Sequence, residues 1–213
     1  MDNFVARVGR QNHLEAGLYT NGGLRKYLNQ SEQHRLISAA SRLCVVKELF
    51  VLTLLWSGGR ISEVLALTPL SFQIDEQVVG MRTLKRRRSV TREVPLPPDL
   101  LSRIQRVFGL RDRQCNPEQS SSRLWEMSRT TAWRIVKSTM RDAGLFGPSA
   151  CPRGLRHSFG IATTQAGVPL TLVQRWLGHA RVTTTAIYLD ACGPEELALA
   201  SRYWNANGLP SGH

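Results

Sequence analysis

The sequence predicts a mainly α-helical domain that carries one small antiparallel β-sheet. Three observations predict it. Apolar residues recur at helical spacing through most of the chain, in segments ended by glycine. Between Ser71 and Leu96 the period shortens to that of strands, with a turn between the two longer runs. The 213 residues, 42% of them hydrophobic, are enough for the core of one large domain or two small ones.

Taken in order, residues 1–30 predict a flexible basic lead-in, broken by Gly17, Gly22 and Gly23 and dotted with Arg7, Arg10, Arg25 and Lys26. Ser31 is placed to cap a helix running to about Arg42, with Glu32 in its first turn and Leu36, Ile37, Ala40 and Leu43 on one face. A second helix over about 44–56 is apolar almost all round, which predicts burial, and Gly58-Gly59 ends it. A third starts at Arg60 or Ile61 and runs to Leu67, which puts Arg60 at a glycine-rich break on the edge of a cleft. Strands follow over 77–85 and 91–96, with a shorter one near 71–74.

Pro97-Pro98-Asp99 opens a helix to about Phe108, and residues 109–124 read as an exposed polar loop. Ser128 caps a helix over 129–143 whose apolar stripe is Ala132, Ile135, Val136, Thr139, Met140 and Ala143. The remaining helices fall at about 154–166, 169–177, 181–190 and 194–204, separated by Gly167, Gly178 and Gly193. This gives a lead-in over 1–30, a main domain over 31–192 and a helical tail over 193–213.

Charge narrows the function. Lys and Arg number 28 against 16 Asp and Glu, a net charge of +12, and lysine occurs only at 26, 47, 85 and 137. So strong a balance favours a polyanion, nucleic acid before an anionic membrane, and arginine favours forked phosphate contacts. The hairpin tip Lys85-Arg86-Arg87-Arg88 is the first candidate DNA contact, against the reading of a solvated charged turn. Arg129, Arg134, Lys137 and Arg141 on the helix after Ser128 are the second, against that of a solvated basic face.

Cysteines 44, 115, 151 and 192 are irregularly spaced and form no zinc pattern. No Gly-rich phosphate loop and no acidic metal cluster occurs, so a DNA-cutting reading must work without metal or nucleotide cofactor. MDNFVARVGR lacks the apolar run of a secretory signal. The longest apolar run, 43–56, contains Lys47 and Glu48 and is too short to span a bilayer. These features predict a cytoplasmic protein with no membrane partner.

The chemistry concentrates between Arg153 and Tyr188. Arg153-Gly154-Leu155-Arg156-His157 opens one predicted helix, Leu177-Gly178-His179 closes the next, and Tyr188 follows on a third. An arginine fork, a histidine donor and a tyrosine hydroxyl brought to one point would suit a phosphodiester. Each alone also fits a surface arginine, a capping histidine and a half-buried tyrosine. His157 reads as structural, and Phe159 and Trp176 as core.

Five segments together resemble the tyrosine recombinase (phage integrase) family. Gly58-Gly59-Arg60-Ile61-Ser62-Glu63-Val64-Leu65-Ala66-Leu67 resembles its first arginine motif, and Lys85 upstream of Val94-Pro95-Leu96 its hairpin lysine. Leu155-Arg156-His157-Ser158-Phe159 resembles the second arginine motif, Leu177-Gly178-His179 the second histidine motif, and Thr183-Thr184-Thr185-Ala186-Ile187-Tyr188 the nucleophile motif. The spacings, 23 residues from Arg156 to His179 and nine from His179 to Tyr188, also fit, and the resemblance spans about residues 24–204.

The resemblance implies the DNA breaking-rejoining fold and site-specific recombination without a cofactor. Tyr188 would attack the scissile phosphate to give a 3′-phosphotyrosyl link. Arg60 and Arg156 would clamp the non-bridging oxygens, His179 would donate to the same phosphate, and Lys85 would protonate the leaving 5′-oxygen. Arg153 stands where the family usually has histidine. It cannot accept a proton, so the expectation is a phosphate ligand. The short lead-in in place of a front DNA-binding domain implies weaker or partner-assisted binding, with an accessory protein as a candidate partner.

The tail, with Leu197, Leu199, Ala200 and Trp204 as apolar positions, implies docking on a neighbouring subunit in a tetramer on two DNA sites. The alternative is docking on its own domain. The implied setting is bacterial-type and nucleoid-associated. Two other functions stay open: a non-catalytic DNA-binding regulator or accessory factor with this fold, and a type IB topoisomerase-like enzyme.

Overall fold

The computed structural model describes residues 17–83, 90–191 and 193–206. It is mainly helical, with a three-stranded antiparallel sheet at one side. The centre is helix α2 (Val45–Ser57), which follows α1 (Gln30–Ala40). Leu49, Phe50, Val51, Leu54 and Leu55 of α2 are buried, and its outer surface is open at Val45, Val46 and Trp56. The all-round apolar pattern therefore holds for the middle of the helix and fails at its ends.

Trp125 closes the core beside α2. Its indole N–H donates to the Val46 carbonyl at 2.9 Å, and the rings of Phe50 and Phe108 meet it edge-on at 5.6 and 5.5 Å. Burying that N–H with a partner avoids the cost of an unpaired donor.

Two predicted boundaries move. Residue Asn29, not Ser31, caps α1: its side chain accepts from the Glu32 backbone N–H at 2.9 Å, and Glu32 accepts from the Asn29 N–H at 2.7 Å. That reciprocal pair fixes the start earlier in the chain. The lead-in is also folded over its described part. Leu18 and Leu28 are buried, and the Leu28 N–H donates to Ser158 Oγ at 2.7 Å, tying the segment to a helix 130 positions on.

Helix α3 (Ile61–Val64) is shorter than its pattern predicts. The sheet follows: β1 (Phe72–Gln73), β2 (Val78–Thr83) and β3 (Val90–Pro95), in that order. Phe72 pairs with Val79, and Val79 with Val94, so buried Phe72, Val79 and Val94 share the inward face. The predicted hairpin tip, Lys85 to Arg88, lies outside the described residues.

Helix α4 (Pro98–Phe108) is followed by α5 (Leu110–Cys115) and α6 (Pro117–Ser120), which correct the loop expected over 109–124. Polar composition suggested a loop there, but Leu110 and Leu124 are buried, and the Gln114 amide donates to the carbonyls of Pro69 and Phe72, both at 2.8 Å. The segment is pinned to the turn preceding the sheet.

Helix α7 (Arg129–Asp142) is capped by Ser128 as predicted, its hydroxyl accepting from the Thr131 N–H at 3.0 Å. Then come α8 (Pro152–Gln165), α9 (Leu170–Leu177), α10 (Thr183–Ala186), a 3₁₀ turn over Ile187–Asp190, and α11 (Pro194–Ala206). Tyr188 lies on the 3₁₀ turn and not on the continuous 181–190 helix expected. Among the described residues no helix is long and apolar enough to cross a membrane. None of their His, Cys, Asp and Glu side chains form a group of three or more placed to hold a metal.

Candidate active site

Four segments converge between α2, α8, α9 and the 3₁₀ turn. The first is the break after α2. Gly58 ends the helix in the left-handed region at φ 59°, and a Cβ there would lie 2.4 Å from Cδ1 of Phe159, so only glycine fits. Arg60 follows, about a third exposed. Its Nη1 donates to Glu63 Oε1 at 2.7 Å, and its backbone N–H donates to Glu63 Oε2 at 2.9 Å. Glu63 therefore fixes both the loop and the guanidinium.

Arg156 comes from the first turns of α8 and is buried. Its Nη1 donates to the Gly58 carbonyl at 2.7 Å and its Nη2 to the Leu177 carbonyl at 2.5 Å. Those bonds join the Arg60 loop, α8 and the end of α9 at one side chain. A guanidinium has five N–H donors, so two bonds leave others for an anion. Burial, and then the Arg60 charge, push the Arg156 pKa down to about 10, which still leaves it cationic at neutral pH.

His179 follows Gly178, which ends α9 in the left-handed region at φ 65°. Its Nδ1 shares a 2.9 Å hydrogen bond with Oγ1 of the fully buried Thr185, so Nε2 is the nitrogen left for an external group. Burial, then the charges of Arg156 and Arg60, lower its pKa to about 3. The ring is neutral at pH 7 and can donate one N–H to an oxygen.

Tyr188 completes the set, 1% exposed. Its ring packs on Gly160 of α8, where a Cβ would come within 2.4 Å of Cε2. The His179 ring stacks on it at 6.3 Å and 21°. Burial pushes the phenol up to about 12, against the opposing pull of Arg156 and Arg60.

Two neighbours were not legible as site residues. His157, read as structural, lies with Nδ1 3.3 Å from the Tyr188 hydroxyl. The signal available was its position one residue after Arg156, but which face it takes depends on where Tyr188 arrives. Arg92 is the other. It is buried on β3, with Nη2 2.7 Å from Glu63 Oε2, Nη1 3.0 Å from Thr83 Oγ1 and Nε 2.6 Å from the Trp176 carbonyl. An arginine in phase with inward-facing Val94 was the available signal.

Arg153 is exposed on the first turn of α8, three positions before Arg156 and four before His157, so the three share a helix face. Arg129, Arg134 and Arg141 are exposed on α7. Lys137 departs from that set: its ammonium donates to the Ala150 carbonyl at 2.7 Å and stands over the Trp133 ring at 5.9 Å. Phe159 is buried and Trp176 packs partly buried against the core, in line with their reading as core residues. A cavity of about 620 Å³ opens beside His179, lined also by Thr83, Arg92, Gln174 and Arg175.

Residues 26–192 match the phage integrase family. The chain belongs to that family. Tyrosine recombinase XerA of Pyrococcus furiosus is 30% identical to this integrase-family chain over 169 residues, covering 78% of the chain and 57% of XerA. The chain thus spans little more than half the length of that curated relative. A crystal structure of XerA recombinase superposes with a TM-score of 0.65 at 23% identity, over 87% of this chain and 66% of that one. XerH site-specific recombinase bound to palindromic difH substrate, a post-cleavage complex, gives 0.70 at 18% identity, over 94% and 65%. The fold is that of the tyrosine recombinases.

Proposed function

We propose that the chain is a site-specific DNA recombinase that cleaves and rejoins double-stranded DNA through a 3′-phosphotyrosyl intermediate. The observation that carries the reading is the clustering of Arg60, Arg156, His179 and Tyr188 within reach of one another's charges and rings, with the two arginines fixed by Glu63 and by the carbonyls of Gly58 and Leu177. Arg60 and Arg156 clamp the non-bridging oxygens of the scissile phosphate. His179 donates its free N–H to the same group, and Arg153 adds a further phosphate contact at the rim. Cations fixed before the substrate arrives favour the pentacoordinate transition state more than the ground state.

Tyr188 attacks phosphorus, and the 5′-oxygen leaves with a proton from Lys85. The ester formed keeps the energy of the bond broken, so the chemistry calls on no nucleotide and no metal. Arg86, Arg87 and Arg88, which follow β2 in the sequence, and Arg129, Arg134 and Arg141 on α7 hold flanking DNA. The setting proposed is nucleoid DNA, with an accessory protein contributing further DNA contacts.

The tail supports a reading of the assembly. Leu197, Tyr203 and Trp204 on α11 are exposed, 42% in the case of Trp204, and such apolar surface on a terminal helix suits a neighbouring subunit of a tetramer on two DNA sites. Deleting 193–213 should abolish cooperative assembly on DNA in gel-shift titrations; unchanged cooperativity would exclude this docking.

Covalent trapping tests the chemistry. Protein mixed with nicked duplexes from the DNA flanking its own gene should give an adduct on a denaturing gel, absent with Tyr188→Phe. The burial of Tyr188 favours a second reading, a DNA-binding regulator that does not cleave. DNA binding without an adduct on several candidate sites would support it.

A further inference from the structure

We propose that His157 is the base that takes the proton of Tyr188 during strand cleavage, a role that rests on the recombinase reading above. Nδ1 of His157 stands 3.3 Å from the Tyr188 hydroxyl, and the two rings meet at 5.9 Å and 62°. In the tautomer protonated at Nε2, Nδ1 holds an in-plane lone pair and the hydroxyl donates to it.

The other polar groups of the pocket are unable or already engaged. Arg60 and Arg156 have no lone pair to offer. Glu63 accepts from Arg60 with one oxygen and from Arg92 with the other. His179 lies 6.3 Å from the Tyr188 ring between centroids, its Nδ1 is bonded to Thr185, and its Nε2 carries the N–H assigned above to the phosphate.

The charged and titratable groups facing His157 are Arg153 and Arg156 on its own helix, Lys26 from the segment before α1, Tyr188 from the 3₁₀ turn and His179 from the end of α9. Burial first, and then the three cations, hold its pKa at about 4 in the free protein, so at neutral pH it carries a lone pair. A phosphodiester seated on Arg60 and Arg156 brings a negative charge that offsets theirs. The base therefore strengthens as the substrate arrives.

The step balances. The hydroxyl proton of Tyr188 passes to Nδ1, and the freed oxygen pair forms the bond to phosphorus. The bond from phosphorus to the 5′-oxygen breaks, and that oxygen takes a proton from Lys85, the acid proposed above. On rejoining, the 5′-hydroxyl gives its proton to the now neutral Lys85 amine and attacks phosphorus, the bond from phosphorus to Tyr188 breaks, and the His157 imidazolium returns its proton to the phenolate oxygen.

The test is single-turnover cleavage of nicked duplexes by wild type, His157→Asn and His157→Gln, with Tyr188→Phe as the blank and gel shift as the measure of binding. Both His157 variants should bind DNA as wild type does and cleave at least about 100-fold more slowly. The wild-type rate should fall on acidification through an apparent pKa above the free protein's value of about 4, and the variants should lack that limb. A wild-type profile flat down to that pH overturns the role and needs no variant to fold.

Asn at 157 offers an oxygen near the place of Nδ1, which can accept the hydrogen bond but not hold the proton. Wild-type cleavage by His157→Asn would make the contact one of positioning only. Faster cleavage by either variant would make it a latch on a stored tyrosine. Wild type that binds but never forms an adduct removes the recombinase reading itself, and this role with it.

Discussion

Glu63 Oε2 lies 2.7 Å from Nη2 of Arg92, with the two side chains only 2% and 4% exposed. The pair ties β3 to the loop that carries Arg60, because the other oxygen of Glu63 holds Arg60. Arg92 also reaches Thr83 on β2 and the Trp176 carbonyl at the end of α9. One buried ion pair thus sets the relative positions of the sheet, Arg60 and the helix leading to His179.

Glu63→Gln should leave Arg92 buried beside a neutral amide. Removing one partner of a buried pair costs about 3–5 kcal/mol. Urea unfolding should show that loss, and the variant that still folds should cleave poorly because Arg60 no longer has its carboxylate.

Acid should destabilise the protein well above the range of ordinary carboxylates. His157 and His179 have folded pKa values near 4 and 3, below the usual 6.5. Their contribution is intact above about pH 6.5 and is lost as pH falls towards those values, since only the unfolded chain takes up the protons. Burial raises the Glu63 carboxyl, but the hydrogen bond and charge of Arg92, with Arg60, bring it below the usual glutamate value, so its contribution is also lost on acidification. Chemical denaturation between about pH 7 and 5 should show falling stability, on the order of 1 kcal/mol per pH unit for each titrating histidine, with a shallower slope in a His157→Gln, His179→Gln double variant.

Gly160 sits inside α8, where alanine would normally favour the helix by about 1 kcal/mol. Here the added Cβ would meet Cε2 of Tyr188 at 2.4 Å. Gly160→Ala should therefore displace the tyrosine. The expected result is a net stability loss of only about 1–2 kcal/mol beside a far larger loss of adduct formation. Thermal melts and covalent trapping on the same samples separate the two.

Salt titrations distinguish the cations of α7. Arg129→Ala, Arg134→Ala and Arg141→Ala should each reduce the slope of log affinity against log salt by about 0.9 for every phosphate that the variant leaves unneutralised. Lys137→Ala should reduce the slope less than the arginine variants, because the Ala150 carbonyl holds that ammonium at 2.7 Å. Fluorescence anisotropy at several salt concentrations reads the difference.

Much of the fold was legible in the chain. Glycine stops, proline starts and the Ser128 cap mark helix ends by local chemistry that neighbours seldom override. The change of period after Ser71 marks the sheet. Residues 109–124 misled because their polar composition outweighed the few apolar anchors, Leu110 and Leu124, and the one amide, Gln114, that pin them. The candidate site was legible where motif and spacing coincide, at Arg60, Arg156, His179 and Tyr188. It was illegible at Arg92 and His157, whose partners lie 29 and 31 positions away.

The sequence by itself determined the helical class, the small sheet, the cationic surface and the residues able to handle a phosphodiester, because each rests on local spacing or on side-chain chemistry. Only the tertiary structure decided which carbonyls hold Arg156, which carboxylate aims Arg60 and which imidazole meets the Tyr188 hydroxyl. Those are contacts between distant segments. Their geometry is fixed by the packing of α2, α8 and α9 around one core, and no periodicity in the chain encodes it.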